Sequence, residues 1–191
     1  MVVTLNLQPT LELTDAQFAQ ICVNNRDLKF ERTAQGGLVI LSLTGGETGE
    51  RNAEINGQLW LWNRQAKLGH IYDSSTGFRL PNGAIRSPDA AWLERSRWQA
   101  LTPEQRQKWI PLCPDFVIEL RSSSDEIEDL RLKMQEYIEN GLRLGWLIDP
   151  QTRRVEIYRA GQPLETLESP TELSAEALMS GFVMDLSGIL T

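Results

Sequence analysis

Apolar and polar positions follow two different periods along this chain, and each change of period marks a structural element. Thr14-Asp15-Ala16-Gln17 opens a short helix to about Asn24, with Thr14 or Asp15 as N-cap. Leu28 to Thr33 and Gly37 to Leu43 read as two strands of a hairpin, turned at Gln35-Gly36-Gly37. Thr48 is predicted to cap a longer helix to about Ala66, whose apolar stripe is Ile55, Leu59, Trp62 and Ala66. Gly69 to Leu80 reads as a second hairpin around Ser-Ser-Thr-Gly. Pro81-Asn82-Gly83 then turns the chain into a strand bearing Asp89.

The second half follows the same logic. Arg95 to Trp109 is polar, with a helix start at Thr102-Pro103-Glu104. Phe116 to Leu120 is an apolar, β-branched run of the kind that forms a buried central strand. Ser122 to Asp125 are predicted caps for a helix to about Asn140, which Gly141 ends. Leu142 to Ile148 and Arg154 to Arg159 form a further strand pair, turned at Asp149-Pro150-Gln151. Strand, helix and strand from 115 to 148 make a crossover that sets two strands parallel. Leu164 to Leu167 adds a short strand, and Gly181 to Leu190 a packed tail. The whole reads as one α/β unit spanning 1–191.

Composition narrows the chemistry. The chain has 191 residues, 41% of them hydrophobic, which suits one sizeable core. No apolar run approaches the roughly 20 residues of a membrane span, and the N-terminus lacks signal-peptide character. Cys22 and Cys113 are far apart, as expected of reduced thiols in a cytoplasmic protein. A net charge of −7 argues against a broad basic surface for nucleic acid, although a metal-dependent nuclease concentrates acids at its site. His70 is the only histidine. It leaves little room for a Ser-His-Asp arrangement and none for the usual zinc spacings. Neither Gly-x-x-x-x-Gly-Lys-Ser/Thr nor Gly-x-Gly-x-x-Gly occurs. Carboxylates, lysine and a bound metal are the chemical tools left.

Two carboxylates stand out. Asp89 lies in Ser87-Pro88-Asp89-Ala90, and Glu119 inside the apolar run Phe116-Val117-Ile118-Glu119-Leu120. An acid within such a run is costly unless its charge is compensated. Pairing with Arg121 or a surface lysine would do so, and so would a divalent cation shared with Asp89. Asp115, in a second Pro-Asp, begins the same strand as Glu119, about 13 Å away at 3.3 Å per residue. Asp89 is the better partner.

The order of these segments resembles the PD-(D/E)xK nuclease superfamily, and more narrowly the Uma-type family of bacterial restriction endonucleases. Ser87-Pro88-Asp89, Asp115 to Ser122, Lys133-x-x-x-Tyr137 and Gly145-Trp146-Leu147-Ile148-Asp149-Pro150 carry the resemblance, which covers the chain from about Leu13 onward. It implies an α+β fold: a restriction-endonuclease-like mixed sheet flanked by helices, with an N-terminal helix and β-hairpin. It also implies a Mg²⁺- or Mn²⁺-dependent hydrolysis of DNA phosphodiester bonds. Asp89, Glu119 and the Leu120 carbonyl would hold the metal. The superfamily's lysine position is Arg121 here, and arginine is not equivalent to lysine. The resemblance moves the lysine to the following helix, as Lys133 on the flank of its buried stripe, where replacement by Met should cost little stability. The superfamily also places an acid on the helix before the sheet, which Glu54 or Glu50 could supply, Glu54 being preferred. Trp60 and Trp98 fall off the apolar stripes, and a homodimer is expected. Two other readings remain open: a non-catalytic module binding nucleic acid or protein on a nuclease scaffold, and a metal-dependent hydrolase of another phosphate substrate.

Overall fold

A computed structural model describes residues 3–191. β1 (Val3–Leu5) precedes α1 (Asp15–Asn24), which starts where its sequence predicts. Thr14 Oγ1 accepts the Gln17 amide, and the Gln17 side chain accepts the Thr14 amide, closing a capping box. β2 (Lys29–Arg32) and β3 (Leu38–Leu41) form the predicted antiparallel hairpin. Gly36 supplies its turn at φ +80°, a conformation that a Cβ would strain. α2 (Gly46–Ala66) starts earlier than the sequence predicts, since Gly45 rather than Thr48 is the N-cap and uses no side-chain bond. Ile55 and Leu59 of the predicted stripe are fully buried on it.

β4 (Gly69–Asp73), β5 (Phe78–Arg79), β6 (Ile85–Arg86) and β7 (Ala90–Glu94) follow. The hairpin predicted from Gly69 to Leu80 does not form, because β4 pairs with β7 while β5 pairs with β6 in another sheet. Gly69 makes the β4–β7 approach possible: a Cβ there would lie 2.3 Å from the Leu93 carbonyl oxygen. Two short helices, α3 (Arg95–Gln99) and α4 (Pro103–Arg106), lead to β8 (Phe116–Leu120). α5 (Ile127–Glu139) connects β8 to β9 (Leu144–Asp149), and these two strands are parallel as the crossover requires. The N-cap of α5 is Glu126, whereas the predicted cap Asp125 accepts the Ser122 amide and closes the turn before it. β10 (Arg154–Arg159), β11 (Glu165–Glu168), β12 (Glu172–Ser174) and β13 (Val183–Asp185) complete the chain.

The central sheet runs β11-β10-β9-β8-β7-β4 and is mixed, only β8 and β9 being parallel. A second sheet runs β1-β3-β2-β6-β5, and β12 pairs with β13. Because strand side chains alternate, β8 feeds two cores. Phe116, Ile118 and Leu120 pack with Trp146, Phe182 and the α2 residues Ile55 and Leu59. Val117 faces the opposite way, toward Met134 and Tyr137 of α5. Glu119 shares that second face, so the fold points its carboxylate at α5.

Candidate active site

β7 and β8 are antiparallel with Ala90 opposite Ile118, and Asp89 and Glu119 each lie one residue beyond that pair. Sheet geometry alone thus sets the two acids side by side at one strand end. The Leu120 amide donates to Asp89 Oδ2 at 2.8 Å. Across the sheet, α5 lowers Lys133 to 2.9 Å from Glu119 Oε1. Tyr137, one turn on, donates its hydroxyl to the same oxygen at 3.0 Å. Among the described residues, no donor engages Asp89 Oδ1 or Glu119 Oε2.

A third carboxylate, absent from the sequence reading, joins them. Glu31 of β2 is buried, and its Oε1 lies 3.0 Å from Lys133 Nζ. It also accepts the Ser87 amide at 2.9 Å and pairs with Arg86 at 3.1 Å. Arg86 reaches on to Glu136. Nothing in Phe30-Glu31-Arg32 signals this role, since charged neighbours in a strand read as solvent-facing. Lys133 is no flank lysine either. Its side chain is only 14% exposed, between two buried acids.

These environments drive the protonation states apart. Burial pushes the Glu119 carboxyl up to about 8; Lys133 opposes this, while Asp89 and Glu31 add to it. Asp89 is raised as well, chiefly by burial, with the Leu120 amide and Lys133 pulling the other way. Burial works against ionised Glu31, but Lys133 and Arg86 outweigh it and hold that carboxyl below its usual range. Lys133 stays firmly protonated, because Glu119 and Glu31 outweigh its burial. Tyr137 is raised well above the usual phenol range by burial and by the Glu119 and Glu31 charges. The cluster thus sets the ionised Glu31, held by Lys133 and Arg86, beside two acids, Asp89 and Glu119, that give up their protons reluctantly.

Other predicted residues stand elsewhere. Glu54 is exposed and accepts from Gln58, whose amide also bonds the Asp185 main chain, so it sits over β13. Glu50 is exposed too, and neither lines the cleft above Asp89 and Glu119. Helical phase accounts for this: the α2 residues that line the cleft are Thr48 and Asn52, one turn apart. Arg121, at the superfamily's lysine position, turns away and pairs with Asp149 at 2.9 Å. Asp115 is fully buried as a structural anchor, accepting the Glu94 amide and Arg97. Trp98 packs on His70 and Tyr72 instead of facing solvent, whereas Trp60 is 53% exposed beneath Arg64.

The cleft over the carboxylates measures about 1280 Å³. Asp27, Asp125, Glu126 and Asp129 line it beyond the central acids, against the basic groups Lys29, Arg86 and Lys133. Among the described residues, no three His, Cys, Asp or Glu side chains are arranged to hold a metal ion by themselves. The donor set still fits Mg²⁺ or Mn²⁺, which typically bind one or two carboxylates and complete their shell with water and substrate oxygens. One further feature supports that fit: Asn52 Oδ1 is buried without a hydrogen-bond partner among the described residues.

A mixed sheet with a crossover helix over paired strand-end acids places this chain among nuclease-like folds. It superposes on the crystal structure of "a putative nuclease" from Anabaena variabilis ATCC 29413 with a TM-score of 0.71 and 17% identity, covering 84% of this chain and 89% of the other. The sequence model of the Uma2 family, described as "Putative restriction endonuclease", matches residues 15–187, and the chain belongs to that family. No curated protein matches it. No helix among the described residues is long and apolar enough to cross a membrane.

Proposed function

We propose that the protein is a metal-dependent endonuclease of PD-(D/E)xK type that hydrolyses phosphodiester bonds in DNA. One observation carries this reading: Asp89 and Glu119 meet at a cleft floor with raised proton affinities, beside a buried, permanently charged Lys133. Asp89, Glu119 and the Leu120 carbonyl would hold one Mg²⁺ or Mn²⁺. Bound there, the ion supplies a Lewis acid for the scissile phosphate and lowers the pKa of a coordinated water.

The chain's own groups do the rest. Lys133 presents a fixed positive charge where the phosphate's negative charge grows, and its two acid partners hold it without reorganisation. Glu31, itself braced by Arg86 and the Ser87 amide, is a positioning residue for that lysine. Tyr137 fixes the Glu119 carboxylate through Oε1 and leaves Oε2 without a donor among the described residues. We place the protein in the cytoplasm as a homodimer joined through the Trp60 surface of α2.

Cleavage of plasmid and oligonucleotide DNA in Mg²⁺ or Mn²⁺, set against EDTA and Asp89→Asn, tests the reading. Metal-dependent cleavage lost in Asp89→Asn is the expected result. The acid-rich cleft and the diversion of Arg121 favour a second reading, a non-catalytic binding module. DNA left uncut under every metal would turn the choice to it.

A further inference from the structure

We propose that Asn52 supplies a fourth oxygen ligand, an uncharged side-chain one, to the divalent cation at Asp89, Glu119 and the Leu120 carbonyl, an inference that rests on the metal-centre reading above. Asn52 lies near the start of α2, where the helix passes the segment carrying Asp89. Asn56 Nδ2 donates both to the Asn52 carbonyl at 3.0 Å and to the Asp89 carbonyl at 3.1 Å. One side-chain amide therefore ties this turn of α2 to the main chain at Asp89. Asn52 lines the same cleft as Asp89, Glu119 and Leu120.

The Asn52 Oδ1 is shielded from solvent and accepts no hydrogen bond among the described residues. A buried acceptor without a donor is costly and calls for a reason. The carboxylates on the cleft floor are acceptors, and the ammonium of Lys133 is already engaged by Glu119 and Glu31. A cation meets the needs of all these oxygens at once. Amide carbonyls are ordinary ligands for hard divalent ions. A neutral ligand at this place also leaves two carboxylates to match the charge of one divalent ion.

Calorimetric titration of Mn²⁺ into the full-length protein tests this without reference to activity, using wild type, Asn52→Leu, Asn52→Asp and Asp89→Asn. Asn52→Leu should bind about tenfold more weakly or worse, in the range expected when a metal site loses a supporting group. Asn52→Asp, nearly isosteric, should bind at least as tightly as wild type, and Asp89→Asn should not bind. Water-proton relaxation of bound Mn²⁺ should report one more coordinated water in Asn52→Leu. Melting curves without metal check that each variant folds, and Asn52→Asp keeps the question answerable if Asn52→Leu does not. Wild-type affinity in both Asn52 variants, or weaker binding in Asn52→Asp, overturns the assignment; the oxygen then holds a water or the amide serves as a donor. Wild-type protein that binds no Mn²⁺ overturns the metal centre itself, and this inference with it.

Discussion

Arg131 and Lys133 leave α5 about 200° apart, at 100° per residue, and each enters a cluster of buried charge built on different terms. Arg131 meets Glu156, which also accepts the Tyr158 hydroxyl at 2.7 Å. Beside it Arg121 meets Asp149, which accepts in addition the Thr152 hydroxyl and the Gln151 amide. In that cluster each buried acid has a guanidinium against it, Arg131 also reaching the exposed Glu128, and Asp149 is held below its usual carboxyl range, Thr152 and Arg121 outweighing its burial. At Lys133, one ammonium is shared by two acids, a third acid has none, and Arg86 is divided between Glu31 and Glu136. Burial, not fully offset by Lys133, makes Asp89 and Glu119 hold their protons more tightly than normal. Balanced burial serves the fold; a deficit of positive charge at an open cleft leaves a place for a cation.

The comparison is broken most forcefully at Lys133. Lys133→Met should lower DNA cleavage per folded molecule by roughly 10²–10³-fold, as when a preorganised charge is removed from a site. Contrary to the sequence expectation, it should also destabilise the protein, because it leaves Glu31 and Glu119 buried without their cation. Breaking a buried pair typically costs about 3–5 kcal/mol, and urea denaturation near pH 8 measures the loss. Unchanged stability would mean that the lysine is not held as described. The balanced cluster provides the opposite pattern. Arg121→Met should cost about 1–3 kcal/mol by stranding Asp149, with cleavage per folded molecule unchanged. Cleavage lost in Arg121→Met but kept in Lys133→Met would reverse the two roles.

Two smaller effects sharpen the contrast. Glu119 has its proton affinity raised from 4.5 to about 8 by folding. Its contribution is therefore fully present below about pH 4.5 and is lost as pH rises through about 8, since the unfolded chain releases the proton first. Without metal, the melting temperature should fall across that window, and Glu119→Gln should flatten the fall. Asp89→Asn removes one of the like charges while keeping an oxygen for the Leu120 amide. A rise of a few degrees in the metal-free melting temperature is expected, about 1 kcal/mol for a chain of this size, together with loss of Mn²⁺ stabilisation. A lower melting point with the metal response intact would separate Asp89 from the site. Finally, light scattering at tens of micromolar should give twice the 21.7 kDa chain mass, and Trp60→Glu should halve it.

Much of this was legible in the sequence where local rules decide. The capping box at Thr14 and Gln17, the apolar run of β8 and the Gly141 stop of α5 each declare themselves within a few residues. Strand alternation then sends Glu119 to the helix side, where Lys133 waits. Glu31 was hidden because its burial arises only when β2 and β6 bring a second sheet against the strand ends, and no periodicity reports that meeting. Glu54, the acid of α2 that its charge singles out, is carried by helical phase off the cleft and beside Gln58 over β13. Asn52 carries no charge and was passed over. The hairpin expected from Gly69 to Leu80 failed for a similar reason: its turn residues were right, but β4 found a longer-range partner in β7.

Lys133 is reached by its two acid partners along very different lengths of chain. Glu119 belongs to the same strand-helix-strand unit, so their meeting closes a short loop. Glu31 comes from roughly a hundred residues upstream, and closing a loop that long costs only modestly more in entropy while placing the contact late in any local-first order of assembly. The cluster is thus divided by connectivity: a fragment beginning after β3 would contain Asp89, Glu119 and Lys133 but lack the carboxylate that holds the lysine from the other side. A chain cut or permuted in the loop between β3 and α2 would have to recover that contact by association, and its cleavage would then depend on how well the two pieces find each other.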